Sequence, residues 1–217
     1  MYPIDGKTKE LLDKTLARKG EIVIVAYSLL EKTENIVKYV LYTTFQRHQK
    51  EDLLDPVFSS LKELTTNAIK ANIKKILIDE GKIENPDDPM CVVRGIKSVL
   101  NEKSLLEYGI RCMEQRLSMR MHLTITDSSV TIRVIDPLPL TDEILGRIQR
   151  KIDRAHSYEN LAMCYLENPD PLAEGMGLGL SMVVVLLKGS GIPPENFSIV
   201  SDPVEGKTTA QIIVPLA

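Results

Sequence analysis

Apolar positions along the chain recur with two periods, about 3.6 residues and 2 residues, and the switches between them predict which segments are helices and which are strands. Residues 7 to 18 are amphipathic, and Glu21-Ile-Val-Ile-Val-Ala-Tyr27 is a β-branched run that predicts a strand. Ile36, Val37, Val40, Leu41 and Phe45 follow at helical spacing, until the polar stretch Gln46 to Asp52 closes the segment. A second helix is expected to begin at Asp55-Pro56, with Asp55 as cap and Pro56 in the first turn, and to run to about Ile78. Val57, Leu61, Leu64 and Ala68 form its apolar stripe, while Glu63, Asn67, Lys70 and Lys74 repeat on another face.

Residues 82 to 118 open with the turn-rich Asn85-Pro-Asp-Asp-Pro89 and continue as short helices, which predicts an insertion. Met119 to Thr126 and Val130 to Asp136 alternate around Asp127-Ser-Ser129 and predict a β-hairpin. Residues 137 to 174 are polar, helical in places and hold four prolines, as a covering segment would. Gly175-Met-Gly-Leu-Gly-Leu-Ser181 then opens an apolar helix through Leu187, ended by Gly189 and Gly191. Two last strands, Phe197 to Ser201 and Thr208 to Pro215, flank a turn at Pro203-Val-Glu-Gly206. The 217 residues are expected to form a single domain, 1–217, with an insertion at 82–118 and a lid-like segment at 137–174.

Composition narrows the function classes. With a net charge of −3 and no dense Lys/Arg block, nothing predicts a nucleic-acid partner. No stretch approaches the roughly 18 apolar residues that a membrane helix needs, and the opening residues do not follow the signal-peptide pattern, so a soluble, cytoplasmic protein is expected. Cys91, Cys112 and Cys164 fit neither a disulfide framework nor a CxxC metal site, and His48, His122 and His156 show no zinc-ligand spacing.

Three groups could carry chemistry. Gly175, Gly177 and Gly179 would let a backbone approach phosphate closely just ahead of a helix N-terminus, although such glycines also serve close helix packing. On the helix from Asp55, an Asn67 carboxamide can ligate Mg²⁺, Lys70 can meet phosphate, and Glu63 can orient or deprotonate a nucleophile; the same spacing also makes an ordinary solvated face. Asp136 ends an apolar strand, where it could accept a hydrogen bond from a purine amino group or simply begin a turn.

In order along the chain, Glu63-Leu-Thr-Thr-Asn67-Ala-Ile-Lys70, Ile135-Asp136, Gly175-Met-Gly-Leu-Gly-Leu180 and Gly206-Lys-Thr-Thr209-Ala-Gln-Ile-Ile-Val-Pro-Leu216 resemble the successive boxes of the GHKL ATPase superfamily, which includes histidine kinases. The resemblance implies an α+β fold, a two-layer α/β sandwich of the Bergerat type in which a mixed sheet is covered on one face by helices. It implies ATP and Mg²⁺ as cofactors, with Asn67 on Mg²⁺, Glu63 as the catalytic or Mg²⁺-orienting carboxylate and Lys70 on phosphate. Asp136 would take the adenine amino group, Gly175, Gly177, Gly179 and the adjoining Leu180 would line the triphosphate, and Thr208 or Thr209 would support the adenine end. The element order before Glu63 is similar to that of anti-sigma-factor serine kinases. This implies a signalling role on a separate protein partner, with dimerisation through the N-terminal helix suggested by family analogy alone. The chain departs from the pattern after Asp136: where the superfamily has DxGxG it reads Asp136-Pro137-Leu138-Pro139-Leu140, with both glycines absent. That departure supports an alternative, a nucleotide-sensing or interaction module that keeps the fold without turnover. His48 has no phosphoacceptor context, so phosphate would go to another protein.

Overall fold

A computed structural model of the chain describes residues 3–28, 31–86, 88–99, 101–167 and 178–217. In chain order these form α1 (Gly6–Ala17), β1 (Glu21–Ala26), α2 (Glu31–Arg47), α3 (Leu54–Asp79), α4 (Pro89–Ser98), α5 (Glu102–Glu114), β2 (Met119–Ile125), β3 (Ser129–Asp136), α6 (Asp142–Ala155), α7 (Leu161–Glu167), α8 (Gly179–Gly189), β4 (Phe197–Asp202) and β5 (Lys207–Pro215). Helices cover one face of a single sheet, so the expected α+β sandwich is the observed architecture.

The sheet has five strands in the order β1-β2-β3-β5-β4. Every pairing in it is antiparallel, which corrects the expectation of a mixed sheet. The β2–β3 and β4–β5 hairpins account for two of these pairings, and β5 returns beside β3 to make the centre. Period-two alternation then sorts the side chains. Met119, Met121, Leu123 and Ile125 of β2 and Val130, Ile132 and Val134 of β3 are buried beneath the helices. Val23, Val25 and Arg120, by contrast, lie on the open face. One-sided burial is what an antiparallel sheet tolerates, because hairpin connections leave its second face uncovered.

α3 is the spine of the helical layer. Its buried stripe, Val57, Leu61, Leu64, Ala68, Ile69, Ile73, Ile76 and Leu77, packs against the sheet and against α2, α4, α5 and α8. The cap expected at Asp55 is not used: a 3-10 turn, Glu51–Leu53, leads directly into the helix, Leu53 occupies the cap, and Asp55 lies inside the first turn. There its negative charge still complements the helix dipole.

The 82 to 118 segment is helical as expected, with Asp88 and Asn101 capping α4 and α5. Gly109 of α5 packs closely on Ser28, where a Cβ would come within 2.8 Å of the serine Cβ, and this sets α5 against the end of β1. Cys112 and Cys164 are buried free thiols and Cys91 is partly exposed. Among the described residues, no helix is long and apolar enough to cross a membrane.

Candidate functional site

Between α3, the sheet, α6 and the start of α8 lies a cavity of about 310 Å³, within the size range of small-molecule sites. α3 contributes Glu63, Leu64, Asn67, Ala68 and Ala71, the sheet contributes Val134, Asp136, Ile199, Thr208 and Ala210, and α6 contributes Ile148 and Lys151. Gly179, Leu180 and Leu140 complete the wall. Residues separated by more than a hundred positions in the sequence meet because α3 lies beneath the strand ends that carry Asp136 and Thr208.

Asp136 brings a buried carboxyl to the wall of this cavity. Inward alternation from Val130 through Ile132 and Val134 brings it to the covered face, where it is 8% exposed. Burial pushes its carboxyl up to about 7, offset in part by a hydrogen bond from the Leu138 N–H. Its Oδ1 is buried with no hydrogen-bond partner. An orphaned carboxyl oxygen is costly, and here it belongs to a residue that lines the cavity. Cys112 of α5 lies behind it: burial first, and the charge of Asp136 second, push that thiol up to about 11.

Glu63 and Asn67 share a face of α3 one turn apart. The Asn67 amide donates to Glu63 Oε1 at 3.1 Å, which turns the carboxamide oxygen away from the carboxylate. Glu63 in turn rests on Gly179, the first residue of α8, where a Cβ would overlap the carboxylate group and approach its Cγ at 2.9 Å. A Cβ at 179 would push the Glu63 carboxylate aside, and in its present position the carboxylate lies at the positive end of the α8 dipole. Gly179→Ala is expected to displace the Glu63 carboxylate and break its hydrogen bond with the Asn67 amide, at a cost of about 1 kcal/mol. Glu63→Ala in the same chain should return most of that cost. Urea unfolding of the two single variants and the double variant measures the coupling, and additive costs would contradict the contact.

The segment after Asp136 is held rather than hinged. Thr208, paired with Asp136 across the strands, donates its hydroxyl to the Leu138 carbonyl at 2.7 Å. The Ser201 hydroxyl accepts from the Leu140 N–H at 2.8 Å and donates to the Leu140 carbonyl at 3.2 Å. Side-chain hydroxyls of β4 and β5 thus tie down the Pro137-Leu138-Pro139-Leu140 loop, and Leu140 contributes to the cavity wall.

Of the residues singled out in the sequence, Glu63, Asn67, Asp136, Gly179, Leu180 and Thr208 come together around one cavity. Thr209 does not: it pairs with Ile135, one residue out of phase with Asp136, so its side chain lies on the open face of the sheet. Lys70 is not among the lining residues, whereas Lys151 of α6 is, a cation with no box or motif to single it out in the sequence. Gly175 and Gly177, with the end of the 137–174 segment, lie outside the described residues. Among the described residues, no group of three or more His, Cys, Asp or Glu side chains is arranged to hold a metal ion.

No family model matches the chain, and no solved structure matches it. It is similar to a protein of Treponema pallidum (strain Nichols) described as an uncharacterized protein, 27% identical over 209 residues. The similarity covers 95% of this chain and 40% of that protein, so the chain spans well under half the length of this curated relative.

Proposed function

We propose that the chain is an ATP- and Mg²⁺-binding signalling protein of the histidine-kinase-like ATPase type, transferring phosphate to a separate protein. The observation that carries this reading is Asp136, buried with its Oδ1 unpaired and lining a cavity whose wall also includes the Glu63–Asn67 pair and Gly179. Leu64, Ala68, Val134, Ile199 and Ala210 give the cavity apolar walls suited to a purine ring, and Asp136 offers an acceptor to its amino group. At the other end, the Asn67 carboxamide oxygen would bind Mg²⁺ together with phosphate oxygens and water, as Mg²⁺ sites with few protein ligands do. Glu63 would orient or deprotonate the acceptor. The protein's contribution to transfer would be positioning and charge stabilisation rather than covalent chemistry.

Thermal unfolding with and without ATP plus Mg²⁺ tests this. Nucleotide at about 100 times its dissociation constant should stabilise the protein by about 2.7 kcal/mol. Asn67→Ala should remove the part that depends on Mg²⁺, and label should pass from γ-labelled ATP to a partner protein. No shift at millimolar nucleotide would reject the reading.

A second reading rests on the loop after Asp136. Hydrogen bonds from Thr208 and Ser201, together with two prolines, oppose the hinge motion that glycines would permit. This favours a module that senses nucleotide, or binds a partner, without turnover. A nucleotide-induced shift with no phosphate released or transferred would decide for it.

A further inference from the structure

Among the described residues, the cavity is lined by two carboxyl groups, Glu63 and Asp136, and one cationic side chain, Lys151. Even with Mg²⁺ bound, a nucleoside triphosphate brings net negative charge into that space beside Glu63, which a further cation would offset. α6 is strongly amphipathic. Ile148, Ile152 and Ala155 turn toward the core, while Arg147, Arg150 and Arg154 are exposed on its outer side. Lys151 lies on the same side as Ile148, three residues earlier, and is half-buried in the cavity wall. Lys70, the lysine that the α3 spacing singled out for phosphate, does not line the cavity.

From this geometry we infer that Lys151 is the residue that binds the phosphate groups of the ligand, in place of Lys70. The inference rests on the nucleotide reading above and adds to it a phosphate-binding residue on α6. Because α6 is joined directly to the tethered loop after Asp136, one segment carries both the end of the adenine side and the phosphate contact. Lys151 contributes charge and position, and no bond to it forms or breaks.

The test uses the full chain and four probes with Mg²⁺: adenosine, ADP, ATP and inorganic tripolyphosphate, each titrated by calorimetry with thermal unfolding as the second readout. Lys151→Met is expected to weaken ATP and tripolyphosphate by about tenfold or more while leaving adenosine within about twofold. Lys151→Arg should restore most of the lost affinity. Arg150→Met removes the same charge from the outer side of the same helix and should leave all four probes unchanged, and raising the ionic strength should weaken ATP in the parent more than in Lys151→Met. If Lys70→Met shows the phosphate-selective loss and Lys151→Met does not, Lys151 is overturned and Lys70 takes its place. Equal loss of adenosine and ATP in Lys151→Met would also overturn it, because that pattern reports wall packing. If the parent protein binds none of the four probes, the nucleotide reading itself fails.

Discussion

At pH 8, Asp136→Asn should unfold at a higher temperature than the parent protein and should show no further shift with ATP and Mg²⁺. Both effects come from one atom. In the parent, burial holds the Asp136 carboxyl up to about 7, against an ordinary value of 3.8 in the unfolded chain. The folded state therefore keeps a proton that the unfolded state has released. The stability contributed by the neutral carboxyl is complete below about pH 3.8, declines as pH rises toward 7, and stays lost above that, a change on the order of 4 kcal/mol. An asparagine has no such titration. Its amide nitrogen would be left without a partner at a cost of about 1–3 kcal/mol, so a net gain of about 2 kcal/mol is expected at pH 8, or several degrees in Tm.

The same substitution replaces the acceptor offered to the purine amino group with a donor, or costs the Leu138 N–H its partner if the amide flips. Nucleotide stabilisation should vanish, the trade between stability and function expected where a site stores an unsatisfied group. In the parent, nucleotide affinity should strengthen as pH rises from 6 to 8, because the ionised carboxylate is the better acceptor. Chemical unfolding across pH 5 to 8, with and without nucleotide, gives both curves. A less stable Asp136→Asn protein that still binds ATP would contradict the role given to Oδ1.

Ile132→Ala should cost about 3 kcal/mol, a large fraction of the roughly 5–15 kcal/mol that stabilises a folded domain. Ile132 is 0% exposed on β3, the central strand, with Ile212 opposite on β5 and Leu123 opposite on β2. Close packing on both sides leaves little room for collapse around the cavity that truncation creates. The same strand carries Asp136 two alternations later, so loosening it should also weaken nucleotide binding. Val200→Ala is the comparison. Val200 is 59% exposed on the open face, and its truncation should stay within about 0.5 kcal/mol. Urea midpoints at constant m separate the two, and equal costs would mean that the second face of the sheet is covered in solution.

Much of the fold was legible because local periodicity carries it. The alternation of Val130, Ile132, Val134 and Asp136 placed one carboxylate on the buried face of a strand, and the spacing of Val57, Leu61, Leu64 and Ala68 placed Glu63 and Asn67 together on another side of α3. What periodicity cannot supply is the identity of whatever lies opposite a given face. Thr208 and Thr209 are adjacent threonines of equal promise in the sequence, and only the register of β5 against β3 chooses between them. The direction of strand pairing is nonlocal in the same way, which is why an all-antiparallel sheet stood where a mixed one was expected. Asp55 was read as a cap from its residue type, but the preceding 3-10 turn carried the helix past it.

By itself, then, the sequence determined the elements, their buried faces and the pairing of Glu63 with Asn67 on one helical surface, since these follow from backbone geometry repeated over a few residues. Tertiary structure alone decided that Asp136 meets that surface across a cavity with Oδ1 unpaired, that Glu63 rests against Gly179, and that among the described residues Lys151 lines the wall and Lys70 does not. Those three facts depend on which elements pack together, and packing is set by the whole buried surface rather than by any one stretch of chain.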